Sequence, residues 1–246
     1  MNDNFEFKDI DQEGMETLNV VAEADRFNIW MYQTIKPYCP GNILEIGSGI
    51  GNISDFFLKD NQTITLSDIR QNYVDILKQK HQGKTKLKDV IIMDIIDPDF
   101  DVKFEKYFGT FDSVYALNIV EHVKDDTQAI ANIKKLLKPG GNMVILVPAY
   151  QKLYNGFDKE LEHYRRYNMK MLDQLMTKNK LEVIHHQYFN FIGVFGWWFS
   201  GNVLKKKTIP EGQMKLYNSL VPIFKIVDKV IANSMGLSVI SIGRKA

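Results

Sequence analysis

At 246 residues, with 45% hydrophobic and 25% charged side chains, the chain can bury a full core and fits one α/β domain. Thirty-one basic against thirty acidic residues leave a net charge of +1, so no global field recruits nucleic acid, which is disfavoured as substrate or partner. A lone Cys39 excludes an internal disulfide and a cysteine metal cluster, and the acidic N-terminus MNDNFEFKDIDQEG carries no signal-peptide pattern, so the expected location is cytoplasmic.

Residues 1–14 read as a polar arm, and Leu18, Val21, Ala22, Ile29 and Tyr32 recur at helical spacing, predicting a helix over Met15 to Ile35 that Pro37 and Pro40 end. Ile43 to Asn52, ILEIGSGIGN, then reads as strand, tight turn and helix. Glycines at 47, 49 and 51 let the backbone turn sharply and let a ligand approach where the next helix points its N-terminus. The dinucleotide fingerprint G-x-G-x-x-G would fit that geometry, but Asn52 occupies its third glycine position, and Glu45 is an awkward neighbour for a pyrophosphate. A cationic ligand without phosphates removes the objection. With its E-x-G-x-G-x-G turn, the segment resembles the first motif of the class I S-adenosylmethionine-dependent methyltransferases of the small-molecule type.

Ile53 to Leu58 reads as a helix and Thr63 to Leu66 as a second strand running into Ser67 and Asp68. Asp68 lies nineteen residues after Gly49, near the spacing of about 20 at which α/β nucleotide sites place a ribose-binding carboxylate. A helix over Asn72 to Gln79 precedes a third strand, Val90 to Met93, which ends at Asp94. Phe111 to Leu117 is the fourth strand, ended by Asn118 and followed by IVEHV; Ala129 to Leu137 is an amphipathic helix stopped by Lys138, Pro139, Gly140 and Gly141; Met143 to Val147 is the fifth strand. FDSVYALNIVEHV and LLKPGGNMVILVP are again similar to that family's motifs. Leu181 to Phe189 and Leu237 to Gly243 read as a sixth and a seventh strand. Alternating strand and helix units imply a parallel sheet with helices on both faces and a ligand at the carboxyl ends of the strands, where Glu45, Asp68, Asp94 and Asn118 all fall.

The resemblance implies a Rossmann-like, seven-stranded, mostly parallel sheet whose last strand inserts antiparallel between the fifth and sixth. It implies S-adenosylmethionine as cofactor, with Glu45, Gly47, Ser48 and Gly49 at the turn. Asp68 would hold the ribose, Asp94 the adenine amino group, Ile69 and Ile95 the two faces of the ring, and the Asn118 backbone would pass close by. It also lays a leading helix across the methionine end of the cofactor, making Arg26, Asn28 and Trp30 candidates for lining the site, although Trp30 also suits a core. Glu121 and His122 would stand at the mouth as the catalytic pair, His122 as base or substrate contact. Capping a helix and a satisfied structural histidine are the alternatives.

Beyond Pro148, Asp158, Glu160, Glu162 and His163 show no recognised metal-ligand spacing, so a solvated charged loop is expected and no metal. Tyr154, Arg165 and Arg166 are substrate-binding candidates, since arginine forks take carboxylate or phosphate and tyrosines line amphipathic pockets. The whole chain, 1–246, reads as one domain with an N-terminal helical segment, 1–36, and a substrate-side insertion, 190–236. FNFIGVFGWWFSGNVL packs six aromatics into sixteen residues and is followed by Lys205, Lys206 and Lys207. It is too short for a membrane span, which needs about 20 apolar residues. Pocket wall, dimer surface, interfacial membrane anchor and plain core stay open; the pocket wall, with Trp197 and Trp198, is the reading taken, because the shared motifs hold no substrate-specific residues. The expected reaction is methyl transfer to an O, N or C nucleophile of a small-molecule acceptor with an apolar or aromatic body. A S-adenosylmethionine-binding protein without catalysis and a nicotinamide oxidoreductase are the alternatives.

Overall fold

The computed structural model describes residues 12–206 and 211–246, so most of the expected polar arm, together with Lys207, lies outside the described residues. Seven strands form one sheet: β1 (Asn42–Ile46), β2 (Thr63–Asp68), β3 (Leu87–Ile92), β4 (Phe111–Leu117), β5 (Leu137–Pro148), β6 (Leu181–Phe189) and β7 (Ser238–Lys245), in the order β3-β2-β1-β4-β5-β7-β6. β7 pairs antiparallel with both β5 and β6, as expected for the last strand. The helices are α1 (Gln12–Ala22), α2 (Asp25–Ile35), α3 (Ser54–Lys59), α4 (Gln71–Lys80), α5 (Phe100–Lys103), α6 (Asp126–Leu136), α7 (Gly156–Glu160), α8 (Met169–Lys178), α9 (Phe191–Trp198) and α10 (Glu211–Val230).

Strand residues alternate between two cores because successive side chains point to opposite faces of a sheet. Leu44, Val114 and Ile145 pack with α6 and α8 on one face, while Ile43, Tyr115 and Leu146 pack with α3 and α4 on the other. A strand covered on both faces reads as a continuous apolar run, which is why β4 and β5 were visible in the sequence. Their neighbour β1 stands at the point where the order reverses, with β2 on one side and β4 on the other. Its carboxyl end therefore opens on a crevice, the place where α/β sheets bind ligands.

Two departures from the sequence reading have local causes. The single helix expected over Met15 to Ile35 is two, because Ala24, buried at 1% exposure, leaves helical geometry at φ −92°, ψ 60°. The Val21 carbonyl accepts from the Ala24 N–H at 3.0 Å and from the Asn28 side chain at 2.8 Å. β5 starts at Leu137 rather than Met143, since Leu137 pairs with Phe111 and Asn142 with Ser113. The intervening Pro139, Gly140 and Gly141 form a bulge, a place where a sheet accepts both residue types.

Candidate active site

The turn after β1 is fastened to the end of β2. Ser48 donates its N–H to the Ser67 carbonyl at 2.8 Å, and the Gly49 N–H donates to Asp68 Oδ2 at 2.9 Å. Asp68 Oδ1 accepts from the Arg70 N–H at 3.0 Å, so each carboxylate oxygen holds one main-chain donor and keeps capacity for a hydroxyl. Burial raises the Asp68 pKa, and those donors oppose the rise. Glu45 is 5% exposed, and burial pushes its pKa to about 7 against hydroxyls of Ser54, Ser48 and Tyr115. Gly47 sits at φ +70°, and a Cβ there would lie 2.0 Å from Ile119 Cδ1. The segment after β4 is thereby pressed against the glycine turn.

That segment carries the second half of the site. Asn118 ends β4 at φ +54° with its N–H on the Leu146 carbonyl, and Glu121 and His122 follow in a single 3-10 turn. Glu121 is fully buried and neither carboxyl oxygen has a hydrogen-bond partner. His122 is exposed to solvent. Desolvation by the neighbouring protein, with His163 and Arg70 nearby, pushes its pKa down, so the ring is neutral at pH 7. The His163 ring meets His122 edge-on with centroids 4.6 Å apart. Ligating atoms of Glu121, His122 and His163 lie within 4.8 Å of one another, a set able to hold a polar acceptor group or a divalent ion. His163 is oriented from behind: its Nδ1 meets Asp158 Oδ1 at 2.9 Å, and the same oxygen accepts from Arg166 Nε at 2.7 Å. Asp158 and Asn155 cap α7 reciprocally, which fixes this carboxylate.

Residues 44–143 match the family model described as a methyltransferase domain. Residues 44–143 thus resemble a methyltransferase domain. The chain is similar to segments of much larger curated proteins: 28% identical over 110 residues to a polyketide synthase-nonribosomal peptide synthetase of Aspergillus clavatus, covering 43% of this chain and 3% of that protein. A highly reducing polyketide synthase of Aspergillus sclerotiorum is 27% identical over 124 residues, 47% of this chain and 5% of that one. The chain thus spans only 3% to 5% of the length of these relatives. Among solved structures, phosphoethanolamine N-methyltransferase 2 of Haemonchus contortus, in complex with S-adenosyl-L-methionine, matches at TM-score 0.62 and 18% identity, covering 99% of this chain and 60% of that one. A SAM-dependent methyltransferase from Archaeoglobus fulgidus matches at TM-score 0.56 and 14% identity, covering 89% of this chain and 94% of that one. The fold is that of the S-adenosylmethionine-dependent methyltransferases, and S-adenosylmethionine is the cofactor of this family.

In this fold, several expected site residues have other partners. Trp30 is 6% exposed and packs on Phe189 at 4.4 Å, so it is core. Arg26 donates to the Ser219 carbonyl on α10, and Asn28 is spent on Val21. The leading element that does reach the turn is α1: Leu18 Cδ1 would meet a Cβ on Gly49 at 2.9 Å, and the Leu18 carbonyl accepts from Asn52 Nδ2. Ile95 is 4% exposed in the core while Ile69 stays half-buried, and Asp94 Oδ1 accepts the Ile96 N–H in a turn at 2.9 Å. Arg165 is spent on the Val123 and Lys124 carbonyls and on Asp126. Arg166, 1% exposed, is spent on Asp158 and the Ala149 carbonyl; both arginines brace the loop where a substrate anchor was expected. Tyr154 pins the same loop through its hydroxyl on the His163 carbonyl at 2.7 Å. Trp197 lies over Arg166 at 4.6 Å and against Phe157 at 4.8 Å, whereas Trp198 is 49% exposed. Asp158 and His163, expected in a solvated charged loop, are instead buried at 0% and 5% exposure and paired with each other; the N-x-x-D capping pattern from Asn155 was the signal that Asp158 is organised.

Burial pushes the Glu121 pKa from 4.5 to about 8, so the folded chain holds this proton at neutral pH and the unfolded chain releases it. Its contribution to stability is present below 4.5 and is lost as pH rises through about 8. Glu121→Gln is expected to flatten that slope in melting temperature across the window; a variant as pH-sensitive as the parent would contradict the assignment.

Proposed function

We propose that this chain transfers the methyl group of S-adenosylmethionine to an oxygen, nitrogen or carbon nucleophile of a small molecule with an apolar or aromatic body. The observation that carries the reading is the contact of Ile119 with Gly47, which sets the Glu121–His122–His163 cluster beside the glycine turn. Bound there, the cofactor supplies an electrophilic methyl on a sulfonium leaving group. Asp68 and the main chain at Gly47 to Gly49 would hold it, with Glu45 near the end of β1. His122, as a neutral ring, would take the proton of the acceptor's nucleophile while that nucleophile bonds to the methyl carbon and the carbon–sulfur bond breaks, the demethylated cofactor leaving. Glu121 and His163 flank His122, their ligating atoms within 4.8 Å and the His163 ring edge-on.

The apolar character of the acceptor is supported by α9, which lays Trp197 over the loop bearing the site through Trp197 Nε1 on the Leu153 carbonyl at 3.3 Å. It is also supported by the similarity to segments of polyketide synthases. Incubation with methyl-labelled S-adenosylmethionine and the small-molecule and lipid fractions of a cell extract tests the proposal. Label is expected in an organic-extractable product; label only in protein or nucleic acid would overturn it.

A further inference from the structure

α10 turns an apolar stripe to solvent. Leu216, Leu220, Ile223, Ile226 and Val230 recur at helical spacing and are 37% to 78% exposed, while Val221, Phe224 and Asp228 are the side it buries. α9, packed beside it, and the π turn that continues α9 add Phe195, Trp198 and Phe199, each about half exposed, with Val203 and Leu204 next in the chain. Singly exposed apolar residues are ordinary, but a patch of this extent marks an interaction surface.

Its charge is predominantly positive. Residues 190–236 hold six lysines against Glu211 and Asp228, in a chain of net charge +1. Asp228 is 2% exposed and spent capping α9, through the Asn190 and Phe191 N–H groups at 2.7 and 2.9 Å. Lys215, Lys225 and Lys229 follow one border of the α10 stripe, and Lys205 and Lys206 close the aromatic stretch. Lys215 has Glu23 at 3.2 Å and Lys225 has Gln33 at 2.8 Å, both contacts at the surface, where a pair is worth little. A second copy docked antiparallel, about a two-fold axis across α10, would set lysine border near lysine border. An anionic bilayer takes both features: apolar side chains enter the acyl boundary, and lysine stems reach up to the phosphates. No described helix is long and apolar enough to cross a membrane, which leaves a helix pair lying in the interface plane.

We propose that the α9–α10 face docks on the surface of an anionic lipid bilayer. The inference stands apart from the methyl-transfer reading. Flotation with vesicles of equal phosphatidylcholine and phosphatidylglycerol, against phosphatidylcholine alone, tests it. The protein is expected to partition about tenfold more strongly to the anionic vesicles, with binding weakened by added salt. The exposed double substitution Trp198→Ser and Ile223→Ser is expected to lose about tenfold or more of that partition while its melting temperature is retained. Failure to float with anionic vesicles, or equal flotation by the double variant, would overturn the proposal. So would a dimer in lipid-free solution that the same substitutions dissociate, since the face would then belong to a second copy.

Discussion

Arg166→Ala is expected to cost about 3 to 5 kcal/mol of stability, because it strands a buried carboxylate. Asp158 has no exposed side-chain surface and shares one oxygen between Arg166 Nε and His163 Nδ1. Arg166 also holds the Ala149 carbonyl and lies under Trp197, so its loss opens the contact between loop and insertion as well. For a domain of this size that is a fall of about 10 °C in melting temperature. Adding Asp158→Asn should restore part of it, since the uncompensated charge is gone. A single variant that melts within about 1 °C of the parent would show that the pair is dispensable.

His122→Ala is expected to lower single-turnover methyl transfer about 10²-fold while cofactor affinity is retained. Its ring contacts His163 and is exposed to solvent, and no hydrogen bond ties it to the glycine turn or to Asp68. A purely structural role would instead appear as a lower melting temperature with an unchanged rate. His163→Ala, acting through the orientation of His122, should lower the rate by less and shift no cofactor affinity.

Strand identity was legible wherever a β-branched or aromatic run ended in an acid or amide. β4 and β6 fall where the sequence placed them, and Asp68 and Asn118 stand at the carboxyl edge that the alternation of strands and helices implied. The glycine turn was legible because positive φ at Gly47 and Gly49 leaves few alternatives. Partners were not legible. Arg166 and Arg165 look like anion anchors in sequence, and only the fold brings Asp158, Asp126 and main-chain carbonyls to them. The break at Ala24 was hidden because no proline or glycine marks it; a side chain four residues on, Asn28, stabilises the open end. Trp197 and Trp198 are adjacent in a segment apolar all round, so periodicity could not say which one turns inward.

The most direct measurement is calorimetric titration of S-adenosylmethionine into the parent chain and into Asp68→Ala. Asp68 is the charged acceptor at the end of β2 and also holds the Gly49 N–H, so its loss removes a ribose partner and loosens the turn. Losing a charged hydrogen bond costs roughly 1.5 to 3 kcal/mol, which predicts binding by the parent and a Kd raised about ten- to a hundredfold in the variant. Equal affinity in both chains would contradict the cofactor site, and NADH binding with no S-adenosylmethionine binding would contradict the account as a whole.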